Sequence, residues 1–193
     1  MSTTYSYFDN DLTLSYIFNW SVSFVVFESL FNSFAWVQTN YENPSFKTLK
    51  RYYHDIPVPT VVFGDFFYST MIFINALFLY PLLFNNSSVS DIFISASTTC
   101  KFVALMICIQ ILYDILYYLF ITYSGFDKTN DYVAFFKEYA EDYSYRAIYS
   151  DSIYLALWSI LFYLVYNSSN ILAKYYIVAL GGFIMVMMSY EDM

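Results

Sequence analysis

The feature that most constrains this chain is a set of long apolar segments, three of which carry an aspartate. VVFGDFFYSTMIFINALFLY contains Asp65, KFVALMICIQILYDILYYLFITY contains Asp114, and AIYSDSIYLALWSILFYLVY contains Asp151. About 20 predominantly apolar residues suffice for a helix to cross a bilayer. A carboxylate at the centre of such a helix costs about 2.5–3.5 kcal/mol on insertion scales. We therefore expect each aspartate to have a partner or a function.

The composition indicates a membrane protein built from helices. Apolar residues make up 59% of the chain and charged residues 12%, whereas soluble domains average about 45–50% and about 25%. The apolar runs show no strict alternation, which favours helices over a β-barrel. We therefore predict an all-α fold, a polytopic helical membrane protein.

Several function classes lack the residues that they require. Only eight Lys and Arg are spread over the chain, and the net charge of −8 disfavours nucleic acid as a partner. A single histidine and the absence of CxxC argue against a metal site. The chain has none of the GxSxG, HExxH or Walker motifs. We predict a protein that is not an enzyme and needs no cofactor.

Four segments are predicted to cross the membrane, and a fifth leaves two alternatives open. The predicted spans are 60–84, 101–123, 147–166 and 171–190. The earlier segment, 13–37, is long enough to span but is interrupted by Asn19, Glu28 and Asn32. It either crosses the bilayer or lies in the interface with its polar side outward.

The chain is thus predicted to have two parts. Residues 1–59 form an N-terminal segment that ends in a basic cytosolic loop, and residues 60–193 form a four-helix membrane domain. A further short helix near 131–143 has apolar residues at helical spacing, with Asn130 or Asp131 as its N-cap. It either lies in the membrane interface or packs on the ends of the spans.

The basic residues predict the orientation. Six of the eight fall in two loops, Lys47, Lys50 and Arg51 in 38–59, and Lys128, Lys137 and Arg146 in 124–146. The other two, Lys101 and Lys174, stand just inside the start of a span. The opposite loops, 85–100 and 167–170, contain no Lys or Arg. Because basic loops stay in the cytosol, both basic loops and the C-terminus are predicted to be cytosolic. If 13–37 also spans, the N-terminus lies outside.

An internal repeat is predicted from matching positions 86 residues apart. Gly64-Asp65-x-x-Tyr68 aligns with Ser150-Asp151-x-x-Tyr154, which suggests one helical hairpin duplicated in the same orientation. The last span contains Gly181-Gly182, a pair that permits close approach between helix backbones. The four spans are therefore expected to form two repeated hairpins.

The polar residues within the spans define a candidate intramembrane polar or ion site at similar depth: Asp65, Asp114, Asp151, Gln110, Tyr68 and Tyr154. Asp65 and Asp151 have a structural alternative, as first-turn residues that bond helix N–H groups. Asp114 lies mid-helix and needs a partner such as a Tyr hydroxyl or a basic side chain (Arg146, Lys128 or Arg51). The functional alternative is a cation or proton site.

The aspartates also raise the alternative of an intramembrane aspartyl protease. Tyr113-Asp114 and Gly64-Asp65 are similar to the YD and GxGD motifs of presenilin-type proteases. Their order is reversed, Val62 replaces the first glycine of GxGD, and the Pro-Ala-Leu motif is absent. Since such short motifs arise readily by chance, this activity is not expected.

Four runs carry a family resemblance that covers about residues 55–190: GDFFYST at 64–70, QILYDILYY at 110–118, FKEYAE at 136–141 and SDS at 150–152. The chain resembles uncharacterised multi-pass membrane proteins encoded by giant double-stranded DNA viruses, although Ser150 stands where a glycine is expected. The resemblance implies a location, the lipid membrane inside the virion or the host membranes that supply it.

Two functions follow as hypotheses. The first is a non-enzymatic structural component of a viral internal membrane or envelope, in contact with lipid and with the capsid or other membrane proteins, and open to forming oligomers. The second is a small cation or proton transporter or channel that uses the intramembrane aspartates.

Overall fold

The protein is all-α over the part of the chain that the structure, a computed structural model, describes: residues 10–39, 48, 51–52, 56–84, 89–125, 128 and 130–189. The side chains are described from 12 to 30 in the first helix. The helices are α1 (Asn10–Thr39), α2 (Val58–Leu83), α3 (Ala96–Ser124), α4 (Asp131–Tyr143), α5 (Tyr145–Asn167) and α6 (Ile171–Ser189), with a 3-10 turn at Val89–Asp91. This confirms the all-α part of the predicted fold class.

Local sequence signals account for several helix ends. Pro57 precedes α2, where its missing N–H group has no intrahelical partner to lose. Ser95 and Thr98 form a reciprocal capping box at the start of α3, and Gly125 ends that helix in the left-handed conformation with φ of 70°. At α4 the side chain of Asn130 accepts from the amides of the first turn.

Three helices are long and apolar enough to cross a membrane, one fewer than expected. They are Thr60–Leu83, Ala96–Ser124 and Tyr145–Asn167. The expected fourth span, 171–190, corresponds to α6. Over the described residues, the apolar stretch of this helix is Ile171–Ile184. The whole of α6 has 19 residues, a length of about 28 Å at about 1.5 Å per residue.

Helix α1 lies at the centre of the bundle, in contact with α2, α5 and α6. Trp20 has no solvent exposure. Its ring stacks between Phe73 of α2, with centroids 4.4 Å apart, and Trp158 of α5, with centroids 4.2 Å apart. A helix surrounded in this way is part of the core rather than an appendage to it.

The alternative that placed the polar side of segment 13–37 outward is wrong. Asn19 and Glu28 are both buried, at 4% and 1% exposure. Nine residues correspond to two and a half helical turns, so these two side chains leave opposite faces of α1 and define no single polar side. Each finds a partner on a neighbouring helix. Asn32 lies outside the residues whose side chains are described.

The helix packing gives the predicted repeat of two hairpins no support. Helices α2 and α3 do pack against each other, but α5 and α6 pack chiefly on α1, which lies between them. The aligned tyrosines also have different partners, because Tyr68 donates to Asp114 and Tyr154 donates to Glu28. A sequence match cannot reveal that a third helix separates two consecutive ones.

Gly181 provides the close approach that the glycine pair predicted, and Gly182 does not. A Cβ on Gly181 would lie 2.7 Å from Val25 Cγ1 and 3.0 Å from the Val25 carbonyl oxygen, whereas one on Gly182 would meet nothing within 4 Å. The α1–α6 contact therefore depends on one glycine of the two.

This difference predicts opposite effects for two neighbouring substitutions. Gly181→Ala should lower the free energy of unfolding by about 1–3 kcal/mol, because the Val25 backbone cannot move away cheaply. Gly182→Ala should cause no loss, since alanine favours the helix. Unfolding of both variants in mixed detergent micelles measures the difference, and equal effects would contradict the α1–α6 contact.

Helix α4 packs on the bundle rather than lying free in the interface, which answers the question left open for 131–143. Phe135 is buried in a small cluster with Tyr52 and Val61. Phe136 contacts Tyr117 of α3 edge to face, with centroids 5.8 Å apart. The apolar face of α4 therefore covers the ends of α2 and α3.

Candidate functional site

Four carboxylates gather near one end of the bundle and are called here the acidic cluster: Glu28, Asp65, Asp114 and Asp151. Electrostatic interactions link Asp65 with Glu28, and Asp151 with both Asp114 and Asp65. The structure thus brings together the three aspartates that the sequence singled out. It adds Glu28, which was missed as a site residue because segment 13–37 was not recognised as a core helix.

Asp65 and Asp151 are not first-turn residues, so that structural alternative is wrong. Asp65 lies about two turns into α2, and neither α2 nor α5 has an acidic residue in its first turn. Instead, the Tyr52 hydroxyl donates to Asp65, with its oxygen 2.8 Å from each carboxylate oxygen. The partner comes from outside the helix, on the segment that precedes it.

Asp114 is the centre of a hydrogen-bond network across three helices. Its Oδ1 accepts from the Tyr68 hydroxyl of α2, and its Oδ2 accepts from the Gln110 amide one turn away. The Gln110 Oε1 in turn accepts from the Ser152 hydroxyl of α5, with 2.8 Å between the oxygens. The network, called here the clamp at Asp114, joins α2, α3 and α5 and includes the Tyr hydroxyl that was expected as a partner of Asp114.

The basic side chains considered as partners of Asp114 lie elsewhere. Arg51 pairs with Glu138, and Lys128 and Arg146 are exposed. Among the described residues, no Lys or Arg forms an ion pair with Asp65, Asp114 or Asp151. Hydroxyl and amide donors thus provide the hydrogen bonds found at Asp65 and Asp114.

Tyr154 contributes to the site through Glu28 rather than through an aspartate. Its hydroxyl donates to Glu28 Oε1 and so joins α5 to α1. The ring of Tyr154 also meets Phe27 edge to face at 4.6 Å. The other five predicted site residues are the three aspartates and two side chains that bond Asp114. Tyr154 instead holds the central helix α1 beside them.

Tyrosines of α4 reach the acidic cluster from beyond the ends of the spans. Burial raises the pKa of Tyr132, and the charge of Asp65 adds to that effect. Burial likewise raises the pKa of Tyr139, with Asp151 contributing. Because a raised phenol pKa favours the neutral form, the stability that these tyrosines contribute is present below about pH 10 and is lost at higher pH.

Removing one hydroxyl should expose the energetic value of the Asp114 network. Tyr68→Phe is expected to cost about 0.6–1.7 kcal/mol, the range measured for hydrogen bonds between membrane helices. Tyr113→Phe is the matched control, because the two rings are neighbours at 6.4 Å and only Tyr68 bonds Asp114. Unfolding in detergent micelles compares the two, and equal stabilities would count against the network.

A second buried polar contact lies toward the other end of α1. Lys174, in the first turn of α6, donates to Asn19 Oδ1 with 2.7 Å between the atoms, and both residues are buried. The sequence treated Lys174 only as a basic residue at the start of a span. Because the two residues are far apart in the chain, no local pattern could have paired them.

No group of three His, Cys, Asp or Glu side chains is placed to hold a metal ion within the described ranges. No protein-family model, curated protein or solved structure matches this chain. The comparisons therefore supply no link to viral membrane proteins, and that relationship stays a prediction.

Proposed function

We propose that this chain is a non-enzymatic integral membrane protein with a structural role in a viral internal membrane or envelope. The observation that carries the membrane assignment is the outward display of large apolar side chains along its long helices. Examples on α2, α3 and α5 are Phe63, Phe67, Phe78, Leu112, Leu116, Phe120, Ile160 and Leu164. Polar groups such as Gln110 and Glu28 are buried instead, an arrangement suited to lipid surroundings.

In this proposal α1 and α6 cross the membrane as well, which makes five spans, because α6 packs chiefly along α1 and its 19 residues have nearly the length that a span needs. Tyr16 near one end of α1 packs against Tyr166, and Glu28 toward the other end bonds Tyr154. Helix α1 thus runs antiparallel to α5 along its length. If α5 crosses the bilayer, α1 crosses with it, and the N-terminus lies on the side opposite the cytosolic C-terminus.

Exposed tyrosines support the depth of this placement. Tyr123, Tyr145 and Tyr149 lie at the end of the bundle near α4, and Tyr175 and Tyr176 lie near the start of α6. Tyrosine is enriched where a membrane meets water at both surfaces. Exposed tyrosines thus lie toward both ends of the bundle, as interfacial belts require.

The clamp at Asp114 favours a structural role over transport. Both carboxylate oxygens already accept hydrogen bonds from neighbouring side chains, so the group serves to hold helices together. The motif resemblance supports the viral location. The proposed partners are lipid and either the capsid or other membrane proteins. The acidic net charge of −8 argues against nucleic acid.

Two measurements test the proposal at its two levels. After expression in cells, the protein should stay in the membrane pellet through alkaline extraction, and its release into the supernatant would overturn the membrane assignment. In infected cells, the protein should be found in the membrane of purified virions. Its absence from virions and presence in infected-cell membranes would overturn the structural role in the particle.

The alternative function, a small cation or proton transporter or channel, is favoured by one observation. Asp65, Asp114 and Asp151 lie close together without an ion-paired Lys or Arg among the described residues. Reconstitution in liposomes with a pH- or cation-sensitive dye tests it. Flux that disappears in Asp114→Asn would support transport, and flux unchanged by this substitution would remove Asp114 from the pathway.

A further inference from the structure

We propose that α4, together with Arg51 and Tyr52, forms a lid that opens and closes access from the cytosolic side to the acidic cluster. This lid goes beyond the proposed structural role, which requires only a fixed bundle. The juxtaposition that carries the proposal is a short helix outside the spans whose aromatic side chains contact α2 immediately beside Asp65.

The underside of the lid fits closely over α2. The Tyr52 hydroxyl bonds both oxygens of Asp65 at 2.8 Å. The Tyr132 hydroxyl occupies the space beside Gly64, where a Cβ would lie 2.3 Å from it. Phe135 fills the gap between Tyr52 and Val61. These contacts place three aromatic side chains against Asp65 and its neighbours and leave Asp65 half-buried.

The two parts of the lid are fastened to each other by contacts that can be released. Arg51 pairs with Glu138 across the lid, and both side chains are partly exposed, at 38% and 44%. Tyr52 stacks on Phe135 with ring centroids 5.1 Å apart. An ion pair with this exposure is screened by salt, so it suits a closure that opens rather than a permanent joint.

The junctions of α4 have backbone conformations suited to movement as a unit. Ser144, between α4 and α5, has φ of 50°, and Gly125, after α3, has φ of 70°. Ser144 is the non-glycine residue with positive φ in the described part of the chain. Such a conformation is costly for serine and persists where the surrounding structure holds it.

Thiol labelling in lipid nanodiscs tests the lid. Cys100 and Cys108, which are both exposed, are first replaced by serine, and Asp151→Cys provides a reporter beside Tyr139 of the lid. Position 151 is half-buried with the lid in place, so a membrane-impermeant methanethiosulfonate should label this thiol more slowly in the parent than in variants that open the lid. Opening exposes a protected site in proportion to the population of the open form, so Tyr52→Phe or Glu138→Arg should speed labelling by about tenfold.

The controls separate a lid from general loosening. The charge swap Arg51→Glu with Glu138→Arg should return labelling to the slow rate, which a misfolded variant would not do. Tyr149→Phe, an exposed tyrosine at the same end, should leave the rate unchanged. High salt should speed labelling in the parent and have less effect in Glu138→Ala. Labelling that is equally fast in the parent, in Tyr52→Phe and in Glu138→Arg would overturn the proposal.

Discussion

Trp20→Ala is expected to lower the free energy of unfolding by about 3–5 kcal/mol, the cost of removing a large aromatic side chain from a packed core. Trp20 is fully buried and stacks between Phe73 and Trp158. Its indole nitrogen has no hydrogen-bond partner in the described part of the chain. The loss should therefore come from packing alone and should separate α1 from α2 and α5.

Unfolding in mixed detergent micelles measures this loss, with two companion variants. Trp20→Phe keeps a ring in the stack and should recover much of the stability. Phe78→Ala removes a ring from α2 that is 52% exposed and should cost far less, because a half-exposed side chain loses less buried apolar surface. If Trp20→Ala and Phe78→Ala were equally mild, α1 would not be the central helix.

Asn19→Leu is the second substitution with a large expected effect. It removes the acceptor of the buried Lys174 ammonium, and a buried charged donor left without its hydrogen bond costs about 3 kcal/mol. The variant should unfold more easily in the same micelle assay. It should also weaken the contact between α1 and α6, seen as faster proteolysis of the α6 end.

The double variant Asn19→Leu with Lys174→Met separates charge from packing. Replacing a buried polar pair with apolar side chains of similar volume is often neutral or stabilising. The double variant should therefore be more stable than Asn19→Leu alone. If adding Lys174→Met gave no recovery, the Lys174–Asn19 contact would not account for the loss.

Much of the helical framework could be predicted from local patterns. Apolar runs marked α2, α3 and α5, and the cap at Asn130 marked the start of α4. The mid-helix position of Asp114 correctly indicated a side-chain partner, since lipid offers none. These features are local because each depends on residues within a few turns of one another.

The position of α1 could not be predicted in the same way. Hydropathy reports which segments tolerate lipid, and a helix enclosed by other helices is freed from that requirement. Asn19, Glu28 and Asn32 made α1 look like a weak span, yet the partners of Asn19 and Glu28 are contributed by α6 and α5. The hydrogen bond from Tyr52 to Asp65 was not predicted, because the sequence does not show toward which helix a tyrosine outside a span is oriented.

The insertion of α1 between α5 and α6 also governs when the protein can assemble. Glu28 and its partner Tyr154 are 126 residues apart in the chain, an interval of roughly 6–25 s at typical synthesis rates of about 5–20 residues per second. During biogenesis α1 is therefore made well before Tyr154, the residue that bonds its Glu28. Helix α1 therefore completes its docking late, when the ribosome has nearly finished.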